Sequence, residues 1–110
     1  MKSKSIENEL QNASVDELIQ AITSLENGEE AKKFLRDLLT KQEIIEFAKR
    51  WETAQLLDDN ISYIEIEKKT GLSSTTIARI SKWLKRGCGG YRLLIDRIHH
   101  HSHAPLKKNA

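Results

Sequence analysis

Apolar residues recur along this chain at spacings of three and four, the period of helices with one buried side. Leu18, Ile19, Ile22 and Leu25 form the first group, and Phe34, Leu35, Leu38 and Leu39 the second. The third and longest helix carries Ile44, Phe47, Ala48, Trp51, Ala54, Gln55 and Leu57. Between the groups stand residues that start and stop helices. Ser14 with Glu17, Thr40 with Glu43 and Ser62 with Glu65 have capping-box spacing. In such a box a hydroxyl accepts from an orphan N–H while a carboxylate reaches back. Asn27-Gly28 reads as the stop of the first helix, and Glu29 and Glu30 open the second, where the helix dipole favours acids. Asp58-Asp59-Asn60 closes the third. A short fourth helix from Ser62 ends at Thr70-Gly71, and a fifth starts after Leu72-Ser73 and runs to Arg86. Beyond Gly87-Cys88-Gly89-Gly90, Tyr91 to Ile98 reads as a sixth, with Leu94, Ile95 and Ile98 on one side. The prediction is an all-α helical bundle over residues 13–98 with flexible ends, 1–12 and 99–110.

Composition supports that reading. Leu, Ile, Ala, Glu and Lys dominate the 110 residues, with one Pro and six aromatics, too little material for a sheet. A chain of this length forms one domain with a core but no large pocket. No apolar run approaches the roughly 20 residues needed to span a bilayer. MKSKSIENELQNAS lacks the apolar centre of a signal peptide. The single cysteine, Cys88, excludes an internal disulfide and a cysteine-based zinc site. The expectation is a cytoplasmic protein with no membrane partner.

Charge is distributed unevenly. Residues 1–67 hold 15 Asp/Glu against 8 Lys/Arg, whereas residues 68–110 hold 10 Lys/Arg against the lone Asp96. A basic end next to an acidic one suggests that the basic end meets a polyanion. Mutual neutralisation, within a chain or between subunits, would leave the same pattern.

The stretch TGLSSTTIARISKWLKRG, residues 70–87, gives the basic end a shape. Two helices joined by a Gly-containing turn of three or four residues make a helix-turn-helix. Ile66 would face inward from the first, Gly71 would relax the turn, Leu72 would plug the junction, and Ile77, Ile80 and Leu84 would form the buried stripe of the second. Ser73, Ser74, Thr75, Thr76 and Arg79 are left outside. A recognition helix puts its N-terminal residues against base edges in the major groove, where short hydroxyls, Thr methyls and an Arg can read sequence. Lys68, Lys69, Lys82, Lys85 and Arg86 suit phosphates. Equally, four hydroxyls can cap a helix and basic residues can simply solvate it.

The match runs beyond the turn. DELIQAITSLENGEEAKKFLRDLLTKQEI, KRWETAQLL, ISYIEIEKKTGLSSTTIARI and GCGGYRLLIDRI together resemble the tryptophan-repressor superfamily, in its YerC/YecD branch, over residues 14–98. The resemblance implies an intertwined, all-helical homodimer whose two turn units read the halves of a near-palindromic operator in double-stranded DNA. It also implies bacterial transcription regulation, as a repressor. Tryptophan repressors clamp their corepressor with one Arg on the long helix and one on the recognition helix. Arg79 matches the second, but the first falls near Trp51 or Glu52, and Arg50 lies next door on a different side of the helix. The expectation is therefore no tryptophan corepressor, and no cofactor.

Other signals are weaker. RGCGGYR lacks the preceding strand and the Lys-Ser/Thr pair of a phosphate loop, and reads as a flexible elbow. Cys88, near Arg86, has the surroundings of a reactive thiolate or of an inert exposed thiol. His99 to His103, HHHSH, suit adventitious divalent metal more than a built metal site, since no carboxylate or Cys completes the geometry. No nucleophile–base pair stands at a recognisable spacing, so an enzyme is not expected. The rival to DNA binding is a helical module that binds a protein through its acidic half.

Overall fold

The computed structural model describes residues 12–109, and side chains through His99. Among the described residues there are six helices and no strand, so the fold is all-α. They are α1 Ala13–Thr23, α2 Gly28–Leu38, α3 Lys41–Asp58, α4 Tyr63–Thr70, α5 Ser74–Arg86 and α6 Gly90–Asn109. The backbone of α6 continues past Ile98, where apolar spacing predicted its end; that spacing follows one side of a helix and not its hydrogen bonding. Residues 1–11 of the expected N-terminal tail, and the side chains of His100 to His103, lie outside the described residues.

Capping accounts for most boundaries. Thr40 and Glu43 make the full reciprocal box: the Thr40 amide donates to Glu43 Oε1 at 2.8 Å, and the Glu43 amide to Thr40 Oγ1 at 3.1 Å. Ser62 Oγ accepts from the Glu65 amide at 3.2 Å. Two boundaries correct the sequence reading. Asn12, not Ser14, caps α1, accepting from the Val15 amide at 2.8 Å, and the Ser14 hydroxyl donates to the same oxygen. Asn27 does not close α1, which ends at Thr23; it caps α2, accepting from the Glu30 amide at 2.9 Å. An Asn-Gly pair serves a helix start as readily as a stop, since Asn is among the strongest N-caps. The end of α3 is as expected. Asn60 takes a left-handed φ of 63°, the Asn60 amide donates to the Leu57 carbonyl, and the Ile61 amide to that of Leu56, a Schellman closure.

The chain divides into two compact units, Met1–Ile44 and Ile45–Ala110. In the first, α1 and α2 bury no residue; Ile19 is 52% exposed, and Leu18, Ile22, Leu35 and Leu38 are exposed with it. The expected burial of these residues does not occur within one chain. The second unit holds the core: Ala54 of α3, Ile66 of α4, Leu72 of the turn, Ile77, Ile80 and Leu84 of α5, and Ile95 of α6. Trp51 and Tyr91 pack at its edge with ring centroids 6.3 Å apart and planes at 20°. Of the positions expected inside α3 and α6, Phe47, Leu94 and Ile98 are exposed.

The α4–α5 turn consists of Gly71, Leu72 and Ser73. Gly71 has φ +77°, and a methyl group there would meet nothing nearer than Lys49 Nζ at 3.9 Å. The glycine is therefore needed for its backbone conformation, not for space. Gly71→Ala is expected to cost about 1–2 kcal/mol, and Gly71→Asn less, because Asn tolerates this region. Ile77→Ala, at a fully buried site, should cost about 2–5 kcal/mol. Urea unfolding followed by circular dichroism reads all three. A Gly71→Ala chain as stable as the parent would show that the turn does not require this conformation.

Candidate nucleic-acid interface

The α4–turn–α5 segment gives α5 a buried side and an outward side. At about 100° per residue, Ile77, Ile80, Ser81 and Leu84 fall on one arc, and all four are buried. Ser74, Thr75, Ala78, Arg79, Lys82, Lys85 and Arg86 fall on the opposite arc, and all are exposed. The sequence-predicted readers and phosphate ligands of α5 other than Thr76 are thus brought to one surface. Ala78 joins them, a residue that sequence reasoning passed over because a lone Ala carries no polar signal.

Two of the predicted readers have local work as well. Ser73 is the N-cap: its Oγ accepts from the Thr76 amide at 3.2 Å and donates to Thr76 Oγ1 at 3.1 Å. Thr76 is half-buried. The reading that these hydroxyls cap the helix therefore holds for this pair and not for Ser74 and Thr75, which stand exposed in the first turn. That turn has no acidic residue, and Lys85 and Arg86 occupy the last one. An N-terminus without acids, with amides of Ser74 and Thr75 not bonded to the cap, favours an approaching anion.

Lys68 and Lys69 are exposed in the last turn of α4. There they also offset the negative end of that helix dipole. Only Thr70 separates them from Gly71, so these two ammonium groups lie close in sequence to the outward side of α5.

On α3, Trp51 is half-buried in its stack on Tyr91, and Glu52 is exposed. Arg50 has its Nε shielded from solvent without a hydrogen bond; Glu46 Oε2 is 3.6 Å away. Burial raises the Tyr91 hydroxyl above its ordinary pKa, and the nearby Arg50 charge acts against that rise. Sequence reasoning had placed no role on Arg50, whose unbonded donor only coordinates could reveal.

The elbow, residues 87–89, is a shaped turn. The Gly87 amide donates to the Trp83 carbonyl at 2.8 Å, and a β-carbon at 87 would come within 2.4 Å of that oxygen. Cys88 is exposed and free. Beyond it, Arg92 pairs with Asp58 of α3 and, at 2.9 Å, with Asp96 on its own helix, and these bonds raise its pKa further. His99 Nε2 lies 3.0 Å from Gln55 Oε1, a second tie from α6 to α3. No helix among the described residues is long and apolar enough to cross a membrane.

The family model for the Trp repressor protein matches residues 13–99. The uncharacterized protein YerC of Bacillus subtilis is 37% identical over 89 residues, which is 81% of this chain and 86% of that protein. A TrpR-like protein from Eubacterium eligens superposes with a TM-score of 0.80 at 37% identity, covering 84% of this chain and 95% of that one. A Trp-repressor-type chain from Staphylococcus aureus gives 0.78 at 36% identity, over 84% and 92%. The span of the match, from the start of α1 to His99, includes every element that positions the outward side of α5, and the chain belongs to the Trp repressor family.

Proposed function

We propose that the protein is a sequence-specific DNA-binding transcription regulator, a repressor, that engages a near-palindromic operator as a homodimer in the cytoplasm. The observation that carries this reading is the outward arc of α5, where short side chains and cations share one exposed surface opposite the core. Ser74, Thr75 and Ala78 are small enough for close approach to base edges, and the Thr and Ala methyl groups suit thymine methyls. Arg79 reaches a guanine. Ser73 and Thr76 contribute at the N-cap end, where their hydroxyls accept and donate alongside the cap bond. Lys68, Lys69, Lys82, Lys85 and Arg86 hold the phosphates.

The homodimer is supported by what one chain leaves uncovered. Helices α1 and α2 carry helical-period apolar residues and bury none of them. Such a surface gains free energy on being covered, at about 25 cal/mol per Å² of apolar area. A second copy also supplies the second reading head that a palindrome requires.

Selection of bound duplexes from a random pool is the direct test. The expected result is a near-palindrome with half-sites about one helical turn apart, carrying thymines opposite Thr75 and Ala78. Recovery of sequences no better than the pool would favour a protein-binding module instead, and such binding would respond less steeply to salt.

Arg79→Ala should weaken the selected site by about 1–3 kcal/mol and relax base preference at one position of each half-site. Lys85→Ala should weaken all duplexes alike and reduce the salt slope by about one. Equal behaviour of the two variants would remove the distinction between reader and phosphate ligand.

Free tryptophan is not the effector in this reading, because Trp51 and Glu52 offer an indole and a carboxylate where the corepressor clamp uses a guanidinium. Titration calorimetry with tryptophan should show no binding in the micromolar range. Micromolar binding would overturn this and assign the clamp to Arg50, whose Nε makes no hydrogen bond.

A further inference from the structure

A cleft of about 490 Å³ opens where the ends of α3 and α5 meet the elbow and the start of α6. Its volume lies in the range of small-molecule sites. Leu57 and Leu84 supply an apolar wall, and Asp58, Lys85 and Arg92 supply three charges. Two of those charges are already committed to each other. Arg92 holds Asp58, and it holds Asp96 as well, which also fixes the wall between α3 and α6. Among the described residues Lys85 is in no ion pair, so it is the cleft's one uncommitted charge. Gly87 forms another part of the lining, and no side chain could stand there without striking the Trp83 carbonyl. The C-terminal dipole of α5 opposes an anion here, and Lys85, in the last turn, offsets it.

We infer that this cleft binds a small organic carboxylate with an apolar body, the carboxylate on Lys85 Nζ and the body against Leu57 and Leu84. A bare inorganic anion would leave the leucines unused, and a neutral hydrocarbon would leave the ammonium without a partner. Binding does not depend on the proposed DNA reading. Its consequence does: a ligand that occupies Lys85 withdraws a phosphate contact, so ligand and DNA oppose each other reciprocally.

The probe is hydrocinnamate, titrated into the full chain without DNA and followed by backbone-amide and methyl NMR. Saturable binding in the millimolar range is expected, with the largest shifts at Leu57, Leu84, Gly87 and Gly89. Lys85→Gln, at an exposed position that the fold does not use, should weaken it about tenfold, as loss of a charge-assisted hydrogen bond does. Hydrocinnamamide, the uncharged isostere, should bind about as much more weakly. Lys32→Gln, an equal change of charge on α2, should leave binding intact. The inference is overturned if no saturation occurs, if the shifts centre on residues outside the cleft, or if the amide or Lys85→Gln binds as well as the parent pair. Because DNA is absent, failure here leaves the operator reading standing, and failure of duplex selection leaves this one standing.

Discussion

Thr70 Oγ1 donates to the Ile66 carbonyl at 2.8 Å and accepts from the Leu72 amide at 3.1 Å, so a single buried hydroxyl binds both sides of the Gly71 turn. The first bond ends α4, and the second orients the peptide that carries Leu72 into the core. With Gly71 in the left-handed region between them, little freedom remains in the direction α5 takes. Ser73 then caps α5 two residues after the turn glycine. The surface that α5 presents is consequently set by backbone geometry inside the turn, before any outward side chain contributes. A valine at 70 would keep the volume and leave the Leu72 amide buried without its acceptor, the asymmetry that makes such hydroxyls hard to replace.

That turn was legible in the sequence because each part has a distinct chemical mark. Glycine marks the left-handed residue, leucine the plug, and Ile77, Ile80 and Leu84 the buried stripe, all of which occur as read. Thr40 and Ser62 were legible for the same reason: a hydroxyl three residues before a carboxylate has few other uses at a helix start. Asn12 was passed over for Ser14 and Asn27 was misread, because asparagine caps starts, closes ends and fills turns alike. Asn60 in its left-handed closure shows the opposite use within the same chain.

Burial was less legible than helicity. The periodicity of Leu18, Ile19, Ile22, Leu35 and Leu38 correctly indicated helices with an apolar side, yet those residues are exposed within the chain. A spacing pattern reports that a surface needs covering, and it is silent on whether the cover belongs to the same polypeptide. Of the outward arc of α5, Arg79, Lys82, Lys85 and Arg86 announced themselves by charge. Ala78 did not, and capping, though open in the sequence, could not be assigned to Ser73 and Thr76 among the four hydroxyls, because it depends on rotamers. Likewise the cleft at the elbow joins Leu57 to Arg92 across 35 positions, and no local motif encodes that proximity.

Charge and packing then divide the chain's work between its ends. The first 67 residues carry the acidic excess, and the basic excess lies in the remainder with the turn unit. Yet Arg92, one of those basic residues, is spent on Asp58 and Asp96, and its bonds fasten α6 to α3. Net charge therefore overstates what is available to a ligand. Among the described residues, Lys68, Lys69, Arg79, Lys82, Lys85 and Arg86 stand in no ion pair on α4 and α5, where the core beneath them is fully buried at Ile66, Ile77 and Ile80. Rigid backing is what turns a cluster of positive charges into a surface with a shape. Without that core the same lysines would keep their charge and present no fixed surface.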